Sequence, residues 1–200
     1  MAETVILAPR SPVPPNSHLR GTVLANSMRQ VEERGVADAY WATLAAEHVK
    51  AMRELVATSW VPVEVALAHY QAMSVLIPDA AEQVAIGRES AARVQNAYIE
   101  TLLRAMRASG AGVSMELVLA QAQKVFDRVM IGGSAAVYKT GMKDARIECL
   151  GTRMVQAPYF RNGWQGWFES SLGLVTRRVF LKQIPEMLNA EHMAFAVSWV

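Results

Sequence analysis

Histidine, cysteine, serine and paired carboxylates are the side chains that could carry chemistry, and their spacing in this 200-residue chain is uninformative. The four histidines, His18, His48, His69 and His192, never come closer in sequence than 21 positions, so no HExxH or similar metal spacing exists. His69 precedes Tyr70 on a helical stretch whose other face is apolar, which predicts a hydrogen-bonded or surface histidine rather than a ligand or base. Glu191-His192 reads as a turn before the last strand. Cys149 is the only cysteine and shares a strand face with Ile147, as a small buried hydrophobe would. Ser109 and Ser170-Ser171 lack the G-x-S-x-G elbow of a nucleophilic serine. Gly110-x-Gly112 and Gly132-Gly133 stop helices, and neither joins a strand to a helix as a phosphate-binding loop must. No catalytic residue, metal site or cofactor is expected from these patterns.

One constellation remains. Trp164, Trp167 and Phe168 fall on one face of a helical stretch, where they either pack that helix on a sheet or line a pocket or dimer face. Gly163, Gly166 and Gly173 interrupt the same stretch. Each weakens a helix by up to about 1 kcal/mol, which suggests close approach by another backbone or a ligand. Arg177, Arg178 and Lys182 follow at once and read as a solvated strand edge.

The elements that must position these residues divide the chain in two. Residues 1–18, with Pro9, Pro12, Pro14 and Pro15, predict a flexible, extended arm, in which Thr4 to Leu7 could add to a sheet edge. Residues 19–131 have helical period. Val23, Leu24, Met28 and Val31 form a first stripe that stops at Gly35, and 36–57 read as a second helix or a broken pair. Pro62 suits the first turn of a helix that ends before Pro78, and Asp79 with Glu82 resembles a capping box. Val84, Gly87, Ala91, Val94, Tyr98, Leu102 and Met106 mark one long helix over 80–108, and Ser114 caps another with Leu117, Val118, Val125 and Val129 inward.

After Gly133 the period becomes two, and 134–200 read as strand, strand, helix, strand, strand. The helix spans about 159–175. The last strand places Met193, Phe195, Val197 and Trp199 on one face, an alternation that predicts a half-buried antiparallel strand. Together these predict one α+β domain over 19–200, a helical block packed on an antiparallel sheet of order β-β-α-β-β.

Composition narrows the function classes. The chain is 52% hydrophobic and 19% charged, which argues for an ordered domain with apolar surface to bury in a core, cavity or dimer face. A net charge of +2 with dispersed Lys and Arg excludes a polyanion binder, so no nucleic-acid partner is expected. No window approaches a membrane span. A lone cysteine and a start without a basic, long apolar leader predict a cytoplasmic protein.

The order of elements resembles the superfamily of four-vinyl-reductase-type and H-NOX-type ligand-binding domains, and more closely a myxobacterial paralogous family of small proteins. The residues that carry this are Gly87-Arg88 through Tyr98-Ile99-Glu100-Thr101-Leu102-Leu103, then Pro158-Tyr159-Phe160, Gly163 and Gly166, and the closing Phe195-Ala196-Val197-Ser198-Trp199. The resemblance covers about 19–200 and implies a sensory or adaptor module with a small-molecule or lipid cavity between helices and sheet. Its haem-binding branch requires a helical histidine ligand and a Tyr-x-Ser-x-Arg signature. Tyr138-Lys139-Thr140-Gly141-Met142 departs from that signature, and 80–108 contains no histidine, so haem is not expected. The leading expectation is a non-enzymatic module that binds a small apolar ligand or a protein partner through Tyr98, Trp164, Trp167, Phe168 and Phe195. The alternatives are a structural homodimer without ligand, or an enzyme with a dispersed site at His69, Glu100 and Arg104.

Overall fold

In the computed structural model, which describes residues 3–94, 101, 104, 108 and 113–200, glycine and proline punctuate the chain much as their backbone preferences require. The elements run β1 (Thr4–Leu7), β2 (His18–Arg20), α1 (Gly21–Glu33), α2 (Ala37–Thr43), α3 (Ala46–Arg53), β3 (Trp60–Pro62), α4 (Val63–Leu76) and α5 (Ala80–Val94). After the gap in description come α6 (Met115–Leu119), α7 (Ala122–Val129), β4 (Met130–Ile131), β5 (Ser134–Gly141), β6 (Asp144–Leu150), α8 (Pro158–Leu172), β7 (Val179–Gln183) and β8 (His192–Trp199). Gly132 and Gly133 adopt φ of +85° and +74°, the left-handed region that glycine enters without a Cβ penalty, and they turn β4 into β5.

The expected α+β class is what forms. β5, β6, α8, β7 and β8 give the β-β-α-β-β order, and the large sheet is antiparallel with strand order β1-β5-β6-β8-β7. Its register pairs Val137 with Ile147 and Ile147 with Phe195, so one apolar row crosses three central strands. The alternation of period two puts this row, with Cys149, Met193 and Val197, on the face covered by α8. The opposite face carries Arg146, Glu148 and His192, where Glu148 pairs with Arg146 at 2.7 Å and lies 3.2 Å from His192 Nε2. A second small sheet, β3-β2-β4, ties the start of the helical block to its end.

Several expectations change in detail. The segment expected as a flexible arm is extended along the sheet: β1 pairs with β5, and backbone bonds join Gly133 N to Pro14 O (2.6 Å) and Asn16 N to Gly151 O (2.7 Å). Proline removes donors but leaves carbonyls, which the glycine turns satisfy. Pro62 ends a strand, and the helix begins one residue later at Val63. The 36–57 region is the broken pair α2 and α3. Ser114 does cap α6, but Leu117 is 41% exposed rather than inward, while its helix neighbours Met115, Val118 and Leu119 are buried. Asp79 caps α5 through the Glu82 amide (2.7 Å), whereas the Glu82 carboxylate pairs with Arg34. The continuation of the α5 stripe at Tyr98, Leu102 and Met106 lies outside the described residues, as does Glu100.

Candidate functional site

Helical spacing makes the site. Phe160, Trp164, Trp167, Phe168 and Leu172 recur at steps of three and four on α8, so their side chains share one face. Trp164 lies at the hub, with ring centroids 5.5 Å from Phe160, 5.5 Å from Trp167, 5.3 Å from Phe168 and 5.9 Å from Phe126. Phe168 continues to Phe195 on β8 at 5.6 Å, edge to face, the geometry in which the ring quadrupoles attract. The structure therefore brings Trp164, Trp167, Phe168 and Phe195 together. Tyr98, expected beside them, lies outside the described residues.

Two glycine contacts set the position of α8. A Cβ on Gly166 would sit 2.9 Å from both the Val84 carbonyl carbon and the Arg88 amide nitrogen of α5, with the Val84 oxygen closer still. One on Gly87 would meet the Gly163 backbone just as closely. Glycine at both positions lets the helices touch backbone to backbone. Gly163 itself has open space where its Cβ would be, and Gly173 only a moderate approach. A chain of amides secures the same stack: Gln183 donates to Asn162 (2.6 Å), Asn162 to Gln83 (2.7 Å) and Gln83 to the Ile77 carbonyl (2.6 Å), which links β7, α8 and α5.

Around the aromatic face are two cavities. The first, about 80 Å³, lies among α1, α4, α5 and α8 and is bounded by Ser27, Tyr70, Tyr159, Phe160, Trp164 and Trp167. The second, about 40 Å³, lies between α7, α8 and the sheet and reaches Phe126, Ile147 and Cys149. Trp164 and Trp167 line both, so the two indoles form a shared wall.

Polar groups at the first cavity form an ordered set. Tyr40 Oη is 2.8 Å from His69 Nδ1, and His69 Nε2 is 2.8 Å from Ser27 Oγ. Tyr40 is fully buried with His69 as its hydrogen-bond partner, so its O–H donates to Nδ1. The imidazole proton then sits on Nε2 and donates to Ser27 Oγ. Burial without a counter-charge drives the His69 pKa down to about 3, which keeps the ring neutral. Of the two sequence expectations, a hydrogen-bonded or a surface histidine, His69 is the first, satisfied in the core. The Tyr159 hydroxyl is close enough to Ser27 to feel it, yet the pair makes no well-formed hydrogen bond, and burial pushes Tyr159 up to about 12. Burial likewise raises the Cys149 thiol, with the nearby Glu148 charge adding to the effect.

Ser27, Tyr70 and Tyr159 were not singled out as binding residues by sequence. Ser27 does fall three and four positions from Leu24 and Val31, so a polar residue in a buried stripe was the available signal. Among the described residues no three His, Cys, Asp or Glu side chains gather as a metal would need, and no helix is long and apolar enough to cross a membrane.

No known family profile and no curated protein matches the chain. Solved structures do. The Fe(II) unliganded H-NOX protein from K. algicida is 8% identical with a TM-score of 0.67, covering 91% of this chain and 97% of that one. A mutant of the T. tengcongensis H-NOX is 12% identical with a TM-score of 0.53, covering 90% and 97%. An H-NOX structure concerned with haem distortion is 9% identical with a TM-score of 0.56, covering 90% and 95%. At these identities the likeness is one of fold.

Proposed function

We propose that this chain is a non-enzymatic sensory or adaptor module that binds a small, mainly apolar molecule between its helices and its sheet, without haem. The observation that carries this reading is the pair of apolar cavities divided by Trp164 and Trp167. Occupancy on either side of a shared wall can displace the indoles, and α8 couples them to α5 and to the sheet. Trp164 and Trp167 would touch the ligand, and Phe168 and Phe195 would hold the wall from the sheet side. Tyr98 is proposed with them from sequence alone.

The residues do not fit haem. The one fully buried histidine among the described residues, His69, has both ring nitrogens engaged by Tyr40 and Ser27. Residues 95–112 contain neither histidine nor cysteine. Cys149 is buried with its thiolate disfavoured. Cavities of about 80 and 40 Å³ also fall far below the about 300–1,000 Å³ of pockets that enclose even a drug-sized ligand. A free, buried cysteine is compatible with the reducing cytoplasm, where we place the protein.

Native mass spectrometry of the purified chain, paired with thermal unfolding against a panel of short apolar metabolites, tests the reading. A bound small mass or a saturable rise in Tm supports it; a bare chain and no shift across the panel refute it. A second reading, homodimerisation, rests on Phe180, 57% exposed on the edge strand β7, where a second copy could extend the sheet. Sedimentation at high concentration separates the two, since a monomer throughout removes the dimer.

A further inference from the structure

Resting on the ligand reading above, we propose that the occupant of the helix-side cavity is a small neutral molecule whose polar end only accepts hydrogen bonds, a short-chain ketone, aldehyde or ester. Two residues that border this cavity carry buried donors with no partner. The Tyr159 side chain is 4% exposed, and its hydroxyl has no hydrogen-bond partner. Trp167, which borders this cavity and its neighbour, has a buried Nε1–H equally without a partner, and an indole nitrogen can only donate. Ser27 Oγ is engaged by His69 Nε2 at 2.8 Å and adds no unmet donor. Leaving such donors unmet costs about 1–3 kcal/mol each, which an acceptor in the cavity would recover.

The rest of the lining defines the remainder of the molecule. Val23, Ile86, Val129, Phe160 and Trp164 supply apolar walls, the other polar side chains Asn26 and Ser90 are only half-buried, and no charged side chain among the described residues borders the cavity. An anion would therefore surrender its hydration without a counter-charge, which excludes carboxylates and phosphates. Size sets the chain length. An apolar cavity of about 150 Å³ accommodates the six heavy atoms of benzene, so about 80 Å³ suits a molecule of roughly three or four heavy atoms.

Acetone and its hydrocarbon isostere 2-methylpropene differ only in a carbonyl oxygen replaced by a methylene. The Trp167 indole N–H resonance, assigned with a Trp167→Phe variant, reports on both. Acetone is expected to shift that resonance saturably and to bind about three- to tenfold tighter than the alkene, the worth of one net hydrogen bond. Tyr159→Phe should lower acetone affinity toward that of the alkene and leave the alkene unchanged. If the alkene binds as well as acetone, or Tyr159→Phe weakens both alike, the acceptor assignment falls while the pocket stands. If neither probe saturates and the metabolite panel also leaves Tm unmoved, the ligand reading falls with it.

Discussion

Replacing Gly166 with alanine sets two effects of opposite sign against each other, and the α5–α8 contact decides between them. Alanine in a helix interior is favoured over glycine by about 1 kcal/mol. The added Cβ, however, would stand 2.9 Å from two backbone atoms of α5, whereas ordinary contact begins at 3.4 Å, so the helices must part by at least half an ångström. A backbone neighbour cannot rotate away as a side chain would, and the same displacement loosens the amide chain through Gln83 and Asn162. Overpacking of this kind costs about 1–3 kcal/mol and sometimes more. The upper end applies here, leaving Gly166→Ala destabilised by about 2 kcal/mol, or about 4–8 °C in Tm for a chain of this size. Gly163→Ala, one turn away on the same helix, meets open space and should gain up to about 1 kcal/mol. Urea and thermal unfolding followed by circular dichroism measure both. A Gly166→Ala protein as stable as the parent, or a Gly163→Ala protein equally damaged, would refute the argument that backbone contact at Gly166 positions α8.

His69 makes stability depend on acid. Its folded pKa of about 3 lies below the unfolded value of 6.5, so the unfolded state binds the proton first. Its contribution is complete above pH 6.5 and declines as pH falls toward 3, by up to about 1.4 kcal/mol per unit; His69→Gln should flatten that slope in urea titrations at stepped pH. Cys149, fully buried with a raised pKa, should resist iodoacetamide in the native protein and be modified only as the chain unfolds. Mass spectrometry after timed labelling checks this, and rapid native modification would contradict the burial.

Local period accounts for what was legible without coordinates. Alternation over 193–199 assigns Met193, Phe195, Val197 and Trp199 to one face because a pleated strand has a period of two, whatever surrounds it. Steps of three and four place Trp164, Trp167 and Phe168 on one side of α8 by the same logic. Capping at Asp79 and Ser114 and the glycine turn at 132–133 were equally local. The addition of β1 to the sheet was only a secondary expectation, since proline-rich flanks argue against strand until long-range pairing overrides them.

What tertiary structure alone decided are the meetings of residues with no sequence relation. Tyr40 and His69 are 29 positions apart, His69 and Ser27 are 42 apart, and Asn162 and Gln83 are 79 apart. No pattern announces such pairs, because a hydrogen bond depends on where two elements cross rather than on the period of either. The glycines show the division most clearly: their presence in α8 predicted a close approach, but only packing shows that Gly166 meets α5 while Gly163 faces empty space. The sequence determined which side of α8 is aromatic. The fold determined that this side divides two cavities and that the donors Tyr159 and Trp167 border one of them.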